Sequence, residues 1–511
     1  MKEENKWFWK VKRKMAPLFA ELFVEGLNGK GFEEILPFPS KYQAIKGDKN
    51  NFGDIFYKEQ DIKEVYDITN KAVKQNENFS KQFNKVSNKI FKRINQLSKK
   101  VIGQNLKAYN NKQLLKIYKQ FYNSFTAGPI ITIQLFAIEA MTNEDSELVT
   151  SCKKICLGKN LNFNKIIQDL QISVKETTLY TLRKDLLKIC IMIKKKNEKT
   201  EKISNEFLKK YFWIDKNLIG KLPIVSTNNR ITAYLDRIVN VKEFNFEDLS
   251  KLIKKELAKN IEKEYDVHKT YFQKISKERS NSINKLTPNK KLIQLINSMN
   301  TFIEQRDFSK REYVKALFSF NKLLIEISSR YKLCKEDLIY YSPKELLKLL
   351  EKETFVAENK ILERRNGWLV ISEKDIIKII SGKELLTFLE KKENLELNLK
   401  TKEKTNSLKG RIVSSGKVSG NVRIINNAED IKKFKQGEII VANSINLKFH
   451  KLFSKAAGII VDEGGATSHA AIFAREFKIP CIIGTVFATK ILKTGQEVKI
   501  DDKKNQILIK N

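Results

Sequence analysis

From the start of the chain to about Glu390, apolar residues recur at three- and four-residue intervals; from Lys409 they gather instead into short runs. The first spacing is that of an amphipathic helix, the second that of buried strands. Segments 111–125 (NKQLLKIYKQFYNSF), 179–195 (LYTLRKDLLKICIMIKK) and 313–331 (YVKALFSFNKLLIEISSRY) set the helical pattern. No internal repeat of fixed period is present, so a solenoid is not indicated. The expectation is a multidomain chain: mostly α-helical over 1–390, then a small carboxyl-terminal α/β domain over 409–511. Between them, residues 391–408 (KKENLELNLKTKEKTNSL) are polar and charged and read as a flexible linker. As coil, that stretch would reach roughly 20–25 Å, enough for the domain after it to travel.

In the carboxyl-terminal part, strands are predicted at 411–413, 421–425, 438–442, 458–461, 480–484, 497–500 and 506–509. Helical pieces are expected at 428–434, 447–454, 468–477 and 487–492. The amino terminus, MKEENKWFWKVKRK, lacks the apolar core of a signal peptide. The most apolar stretch, 127–141, is too short to span a bilayer and reads as a buried helix. Five scattered cysteines (Cys152, Cys156, Cys190, Cys334, Cys481) offer no disulfide framework and no metal-ligand spacing. A reduced, cytoplasmic setting without membrane attachment is expected, and no metal site is read in this chain.

The chain carries 97 Lys and Arg against 60 Asp and Glu, a formal +37, which raises the question of a polyanionic partner. The excess is dominated by Lys in a chain also crowded with Asn and Ile and poor in Gly and Pro, as an A/T-rich coding sequence produces. Residues 409–511 hold 18 basic and 9 acidic side chains, so the excess is shared between the two parts. On that ground a nucleic-acid partner is disfavoured.

The helical part has no GxxxxGK[ST] phosphate loop, no GxGxxG after a strand and no HExxH or GxSxG. Of three histidines, His268 sits in charged helical text and reads as a surface residue. Residues 209–220 (KKYFWIDKNLIG) read as a buried aromatic cluster. In 336–350, Ser342, Pro343 and Glu345 spell a helix start with a capping box. Arg364 and Arg365 read as a solvated helix face.

The densest chemistry is GIIVDEGGATSHAAIFAREFKIPCIIGT, residues 458–485. A strand runs into a turn, Gly464 and Gly465 allow the backbone to fold tightly, and Thr467 and Ser468 open a helix whose first turn carries His469. Free amides and the positive end of a helix dipole favour an anion there and disfavour imidazolium. Neutral imidazole is the nucleophilic form, and the same amides would steady a phosphoryl group attached to it. Ala470, Ala471 and Ala474 are small enough for the helix to lie close against a sheet.

The strings 410–420 (GRIVSSGKVSG), EIIVA and 455–485 resemble the phosphohistidine swivelling (mobile) domain of the phosphoenolpyruvate-utilising enzymes. That family includes phosphoenolpyruvate synthase, pyruvate phosphate dikinase, Enzyme I of the sugar phosphotransferase system and rifampicin phosphotransferase. The resemblance implies a β/β/α swivelling fold over 409–511. It implies that His469 is the catalytic, phosphoryl-carrying residue, with Gly464, Gly465, Thr467 and Ser468 binding phosphate. Arg475 matches the family's Ala-Arg-Glu and is a supporting residue, read as a structural ion-pair member. Two departures concern loop shape: Asn443 to Asn446 replace the usual Thr-x-Pro, and residues 501–506 (DDKKNQ) lack the glycine of the final hairpin. More weakly, 330–347 and 363–365 resemble the linking or acceptor-substrate domain of the rifampicin phosphotransferase group.

Full members of the family join this domain to an ATP-grasp domain or to a phosphoenolpyruvate-binding barrel. The first 400 residues do not show the strand-helix alternation of a barrel. The resemblance therefore implies a phosphotransferase component charged by a separate ATP-grasp subunit, with Mg and ATP, or phosphoenolpyruvate, at that partner's donor site. A small molecule would accept the phosphoryl group. The alternative is a non-catalytic or regulatory phosphohistidine-domain docking protein.

Overall fold

The computed structural model describes residues 7–14, 17–27, 42–48, 52–76, 78–102, 104–125, 129–142, 146–171, 173–213, 245–373, 376–391, 407–425, 428–445, 449–462, 470–471, 474, 477–485, 488–502 and 505–509. The chain divides into two compact units, Met1–Lys392 and Glu393–Asn511. Helices dominate the first unit and a mixed sheet the second.

The axis of the first unit is the helix Lys290–Arg330, whose 41 residues make it about 60 Å long. Asn289 caps its start by accepting from the Leu292 amide. The helix Phe79–Ile102 packs along it and turns inward Phe79, Phe83, Phe91, Ile94, Leu97 and Val101, one residue or two per turn. Phe83 and Phe302 meet edge to face at 5.3 Å. The helices Asn111–Phe125 and Pro129–Thr142 join the same core. Polar side chains meet across this seam: Gln305 donates to Ser87 and Asn88, and Gln134 to Ser309.

A second core lies among the helices Thr178–Lys194, Thr200–Tyr211, Phe246–Leu257 and Ile261–Leu286. Tyr211 and Trp213 belong to it and are buried, and Phe212 is half-buried, so these three aromatics of the expected cluster face the core, while Lys209 and Lys210 are exposed. The remainder, 214–220, lies outside the described residues. At the edge of this core Arg183 is buried and donates to both Glu256 and Glu264.

The first unit also contains an antiparallel sheet that helical spacing did not predict. Its strands are β1 (Trp7–Lys14), β2 (Tyr42–Asp48), β3 (Phe52–Lys58), β4 (Gly367–Glu373) and β5 (Ile376–Ser381), in the order β1-β3-β2-β4-β5. Pairing of β2 with β4, from Tyr42↔Glu373 to Asp48↔Gly367, ties the start of the unit to its end. Ile45, Ile55, Trp368 and Val370 pack with Ala20 and Val24 of the helix Pro17–Leu27.

In the second unit the strands are β6 (Ser407–Lys409), β7 (Arg411–Ser414), β8 (Val418–Ile424), β9 (Ile439–Ala442), β10 (Gly458–Val461), β11 (Cys481–Ile483), β12 (Glu497–Asp501) and β13 (Gln506–Ile509). Their order is β6-β13-β12-β8-β9-β10-β11-β7. The two strands that end this order, β6 and β7, are consecutive in sequence and separated by Gly410 alone, so the sheet curls until its two ends share one stretch of chain. Glycine is required at that corner: a Cβ on Gly410 would stand 2.7 Å from Ile482 Cγ1 and 2.8 Å from the Ile483 carbonyl oxygen. One face buries Val422, Ile439, Val441, Ile460, Ile482, Val498, Ile500 and Ile507. The other carries Ile440, Ile459, Val461 and Ile483 beneath Ala470, Ala471, Ala474, Phe449 and Phe453.

The polar stretch 391–408 begins on the last residue of the helix Gly382–Lys391 and ends on Ser407 and Leu408, which belong to β6; 392–406 lie outside the described residues. Among the described residues no helix is long and apolar enough to cross a membrane.

Candidate active site

Strands β8, β9, β10 and β11 run parallel, with Val422 and Gly458 both opposite Ile439 and Ile459 opposite Cys481. The segment leaving β10 therefore emerges at the carboxyl edge of the sheet, between the ends of β9 and β11. Open α/β sheets place ligands at that edge. Gly464, Gly465, Thr467, Ser468 and His469 belong to this segment, and they, like Arg475, lie outside the described residues.

What is described is the frame on either side. Asp462, the residue after β10, is 2% exposed. Its Oδ1 accepts from the Thr485 hydroxyl at 2.8 Å and the Ala488 amide at 2.6 Å. Its Oδ2 accepts from the Thr489 amide at 3.1 Å and from the Thr489 hydroxyl. Four donors on one buried carboxylate fix the end of β10 to the start of the helix Ala488–Ile491. The backbone adds to the clamp: Asp462 donates to the Ala442 carbonyl and Thr485 to that of Val461.

On the far side of the segment, Ala470, Ala471 and Ala474 are at most 1% exposed, as their small size foretold. The Ile479 amide and the Ser414 hydroxyl both donate to the Ala474 carbonyl. In sequence, His469 thus falls between the fixed Asp462 and the buried Ala470. Asp462, Thr485 and Thr489 were missed as supporting residues. The signal was an acidic residue set between an apolar strand and a Gly-Gly pair, and such a residue has no reason to be buried without donors.

Other residues singled out in the sequence behave differently. His268 is not a surface residue: it is 2% exposed, with its ring centroid 4.8 Å from that of Tyr180. Burial, with Arg183 and Lys184 nearby, lowers its pKa to about 4. Neither ring nitrogen has a hydrogen-bond partner among the described residues. Nor is Arg364 on a solvated face. It is 2% exposed and forks onto Glu345 at 2.6 and 2.9 Å while donating to the Tyr340 carbonyl. Arg365, half-exposed, pairs with Asp337. The predicted capping box is present, with Ser342 and Glu345 each holding the other's backbone amide. Burial pushes the Glu345 carboxyl up, but the Arg364 guanidinium and the Ser342 amide outweigh it and hold the pKa below the usual carboxylate range. Among the described residues no group of three or more His, Cys, Asp or Glu is arranged to hold a metal ion.

Comparison with known proteins bears mainly on the second unit. Residues 434–505 match the family described as PEP-utilising enzyme, mobile domain. Phosphoenolpyruvate synthase of Pyrococcus furiosus is 48% identical over 94 residues, 18% of this chain and 12% of that protein. A probable phosphoenolpyruvate synthase of Archaeoglobus fulgidus is 35% identical over 161 residues, 30% of this chain and 21% of that protein. Rifampicin phosphotransferase of Bacillus cereus is 27% identical over 214 residues, 40% of this chain and 23% of that protein. The last two similarities run longer than the second unit and so continue into the first. The chain spans less than a quarter of the length of these relatives.

Proposed function

We propose, from the match of residues 434–505 to the mobile domain of the phosphoenolpyruvate-utilising enzymes, that the protein is a phosphotransferase component in which His469 is transiently phosphorylated. The observation that carries the reading is the Gly464-Gly465-Ala466-Thr467-Ser468-His469 string, which in sequence joins Asp462, clamped at the carboxyl end of β10, to the buried Ala470.

In the first half-reaction a neutral imidazole nitrogen of His469 attacks the donor's phosphorus, and the leaving oxygen departs with its electron pair. In the second, an acceptor oxygen attacks the phosphorus and the N–P bond breaks, returning neutral imidazole. Gly464, Gly465, Thr467 and Ser468 present amides and hydroxyls to the phosphoryl oxygens, and Arg475 supports the helix. Each step requires direct approach to about 3–3.5 Å.

The donor site is assigned to a separate ATP-grasp subunit using Mg and ATP, with phosphoenolpyruvate as the alternative donor. Support comes from the first unit, whose helices and antiparallel sheet differ from the alternating strands and helices of a barrel. The acceptor, a small molecule, is assigned to the helical unit, where similarity to rifampicin phosphotransferase continues. The test is phosphoryl transfer from ATP and Mg in the presence of an ATP-grasp partner, run beside phosphoenolpyruvate alone. Label on the chain only with ATP and the partner supports the split assignment. Label from phosphoenolpyruvate alone replaces the donor, and no label from either removes the reading.

A further inference from the structure

From Asn78 to Ile138 the chain runs 61 residues with eleven Lys and Arg and no Asp or Glu. At the chain's average of 60 acidic residues in 511, about seven would be expected there. Coding bias toward A and T does not explain the gap, because Glu and Asp codons are themselves compatible with it. The helix Phe79–Ile102 occupies the first part of this run. Its exposed positions are Lys81, Gln82, Lys85, Asn88, Lys89, Lys92, Arg93, Gln96, Lys99 and Lys100, with no acidic and no apolar side chain among them.

At about 100° per residue, the seven cations fall within roughly 120° of the helix circumference, and Lys81 and Lys99 are about 27 Å apart along the axis. None of the seven forms an ion pair with a described carboxylate. Glu312, on the neighbouring helix, accepts from Asn95 but is buried and shared by Arg311 and Lys315. The helix Asn111–Phe125 continues the composition, with Lys112 and Lys116 exposed and Lys119 paired to Glu351. By contrast, the helix Ile261–Leu286 interleaves its exposed Lys263, Lys269, Lys274 and Lys277 with Glu262 and Asp266.

We infer that the exposed face of the helix Phe79–Ile102 is a docking surface for the phosphate backbone of a nucleic acid. A protein partner is the poorer fit, since protein interfaces centre on apolar and aromatic anchors and are depleted in Lys, and this face has no such anchor. Lys with Asn and Gln is instead the set that contacts phosphate and sugar without reading sequence. A span of about 27 Å lies along roughly eight base pairs of duplex. The surface binds without base specificity, since the buried Phe79, Phe83 and Phe91 offer no ring for stacking.

The experiment uses the full chain and a labelled 20-base-pair DNA duplex and a single-stranded RNA of equal length, titrated across salt concentrations. Two variants are compared: K81Q/K85Q/K89Q/K92Q, and the control K263Q/K269Q/K274Q/K277Q, which removes the same charge from the interleaved helix. The expected result is a steep salt dependence for at least one nucleic acid. Its log–log slope should fall by about three to four units in the first variant and stay near its original value in the control. Circular dichroism and melting temperature confirm that both variants fold. The inference is overturned by absence of binding, by equal losses in the two variants, or by tighter retention on anionic phospholipid vesicles or polyglutamate at the same salt.

Discussion

The Asp462 carboxylate accepts the Thr485 hydroxyl at 2.8 Å, joining the end of β10 to the chain just beyond β11. Together with the Ala488 and Thr489 amides, this contact fixes the end of β10, seven residues before His469 in sequence. Replacing Asp462 by Asn sets an amide donor against backbone donors, and replacing it by Ala leaves them unpaired. Either change should cost about 2–4 kcal/mol, as buried charge-assisted bonds do. Urea melts of the two variants measure it; a cost within a few tenths of a kcal/mol would show the clamp to be unimportant.

A buried neutral histidine makes stability depend on pH. His268 has a folded-state pKa of about 4, against about 6.5 when unfolded. The unfolded chain then binds the proton more readily, so the contribution of His268 is complete above about pH 6.5. It is lost progressively as pH falls toward 4. His268→Phe, which keeps an aromatic ring beside Tyr180, should flatten that part of the stability-pH profile. An unchanged profile would place the histidine in contact with water.

Arg364 links two helices through a fork onto Glu345, the partner of Ser342 in the capping box. Arg364→Ala leaves a buried carboxylate and the Tyr340 carbonyl without their donor, a loss of about 3–5 kcal/mol. Arg364→Lys keeps the charge but not the fork and should recover only part of that. Thermal melts of the three proteins give the order directly.

Closure of the second unit depends on Gly410. Gly410→Ala brings a methyl within 3 Å of Ile482, Ile483 and Thr485, and strain of this kind costs about 1–3 kcal/mol. Denaturant unfolding of the variant checks it, and wild-type stability would mean that β7 can shift away from β11.

Periodicity was sufficient where packing is local. The helices of the first unit and the strands β7 to β13 follow apolar spacing that any window of the sequence displays. The five-stranded sheet did not show itself, because β2 and β4 are partners more than 300 residues apart and no local pattern records that pairing. Trp7 and Trp9 alternate in β1, but the basic residues around them resembled a polar amino terminus. His268 lay within charged text, yet Ile261, Glu264, His268 and Ile275 fall three, four and seven residues apart, on the buried face. Glu264 can turn inward there only because Arg183 arrives from another helix. The histidine motif was legible because strand, turn and helix signals coincide within 28 residues, whereas its Asp462 support depends on donors that lie more than 20 residues beyond it. Net charge is an average: the +37 shared between two parts includes an acid-free run of 61 residues within one of them.

The central claim is that His469 carries the phosphoryl group. The most direct measurement is phosphopeptide mapping under alkaline conditions after incubation with ATP, Mg and an ATP-grasp partner, for the native chain and for His469→Ala. An acid-labile, alkali-stable phosphoryl group on the peptide containing His469, absent from the variant, is the predicted result. An unchanged signal in His469→Ala, or phosphate found only on serine, threonine or another histidine, would contradict it.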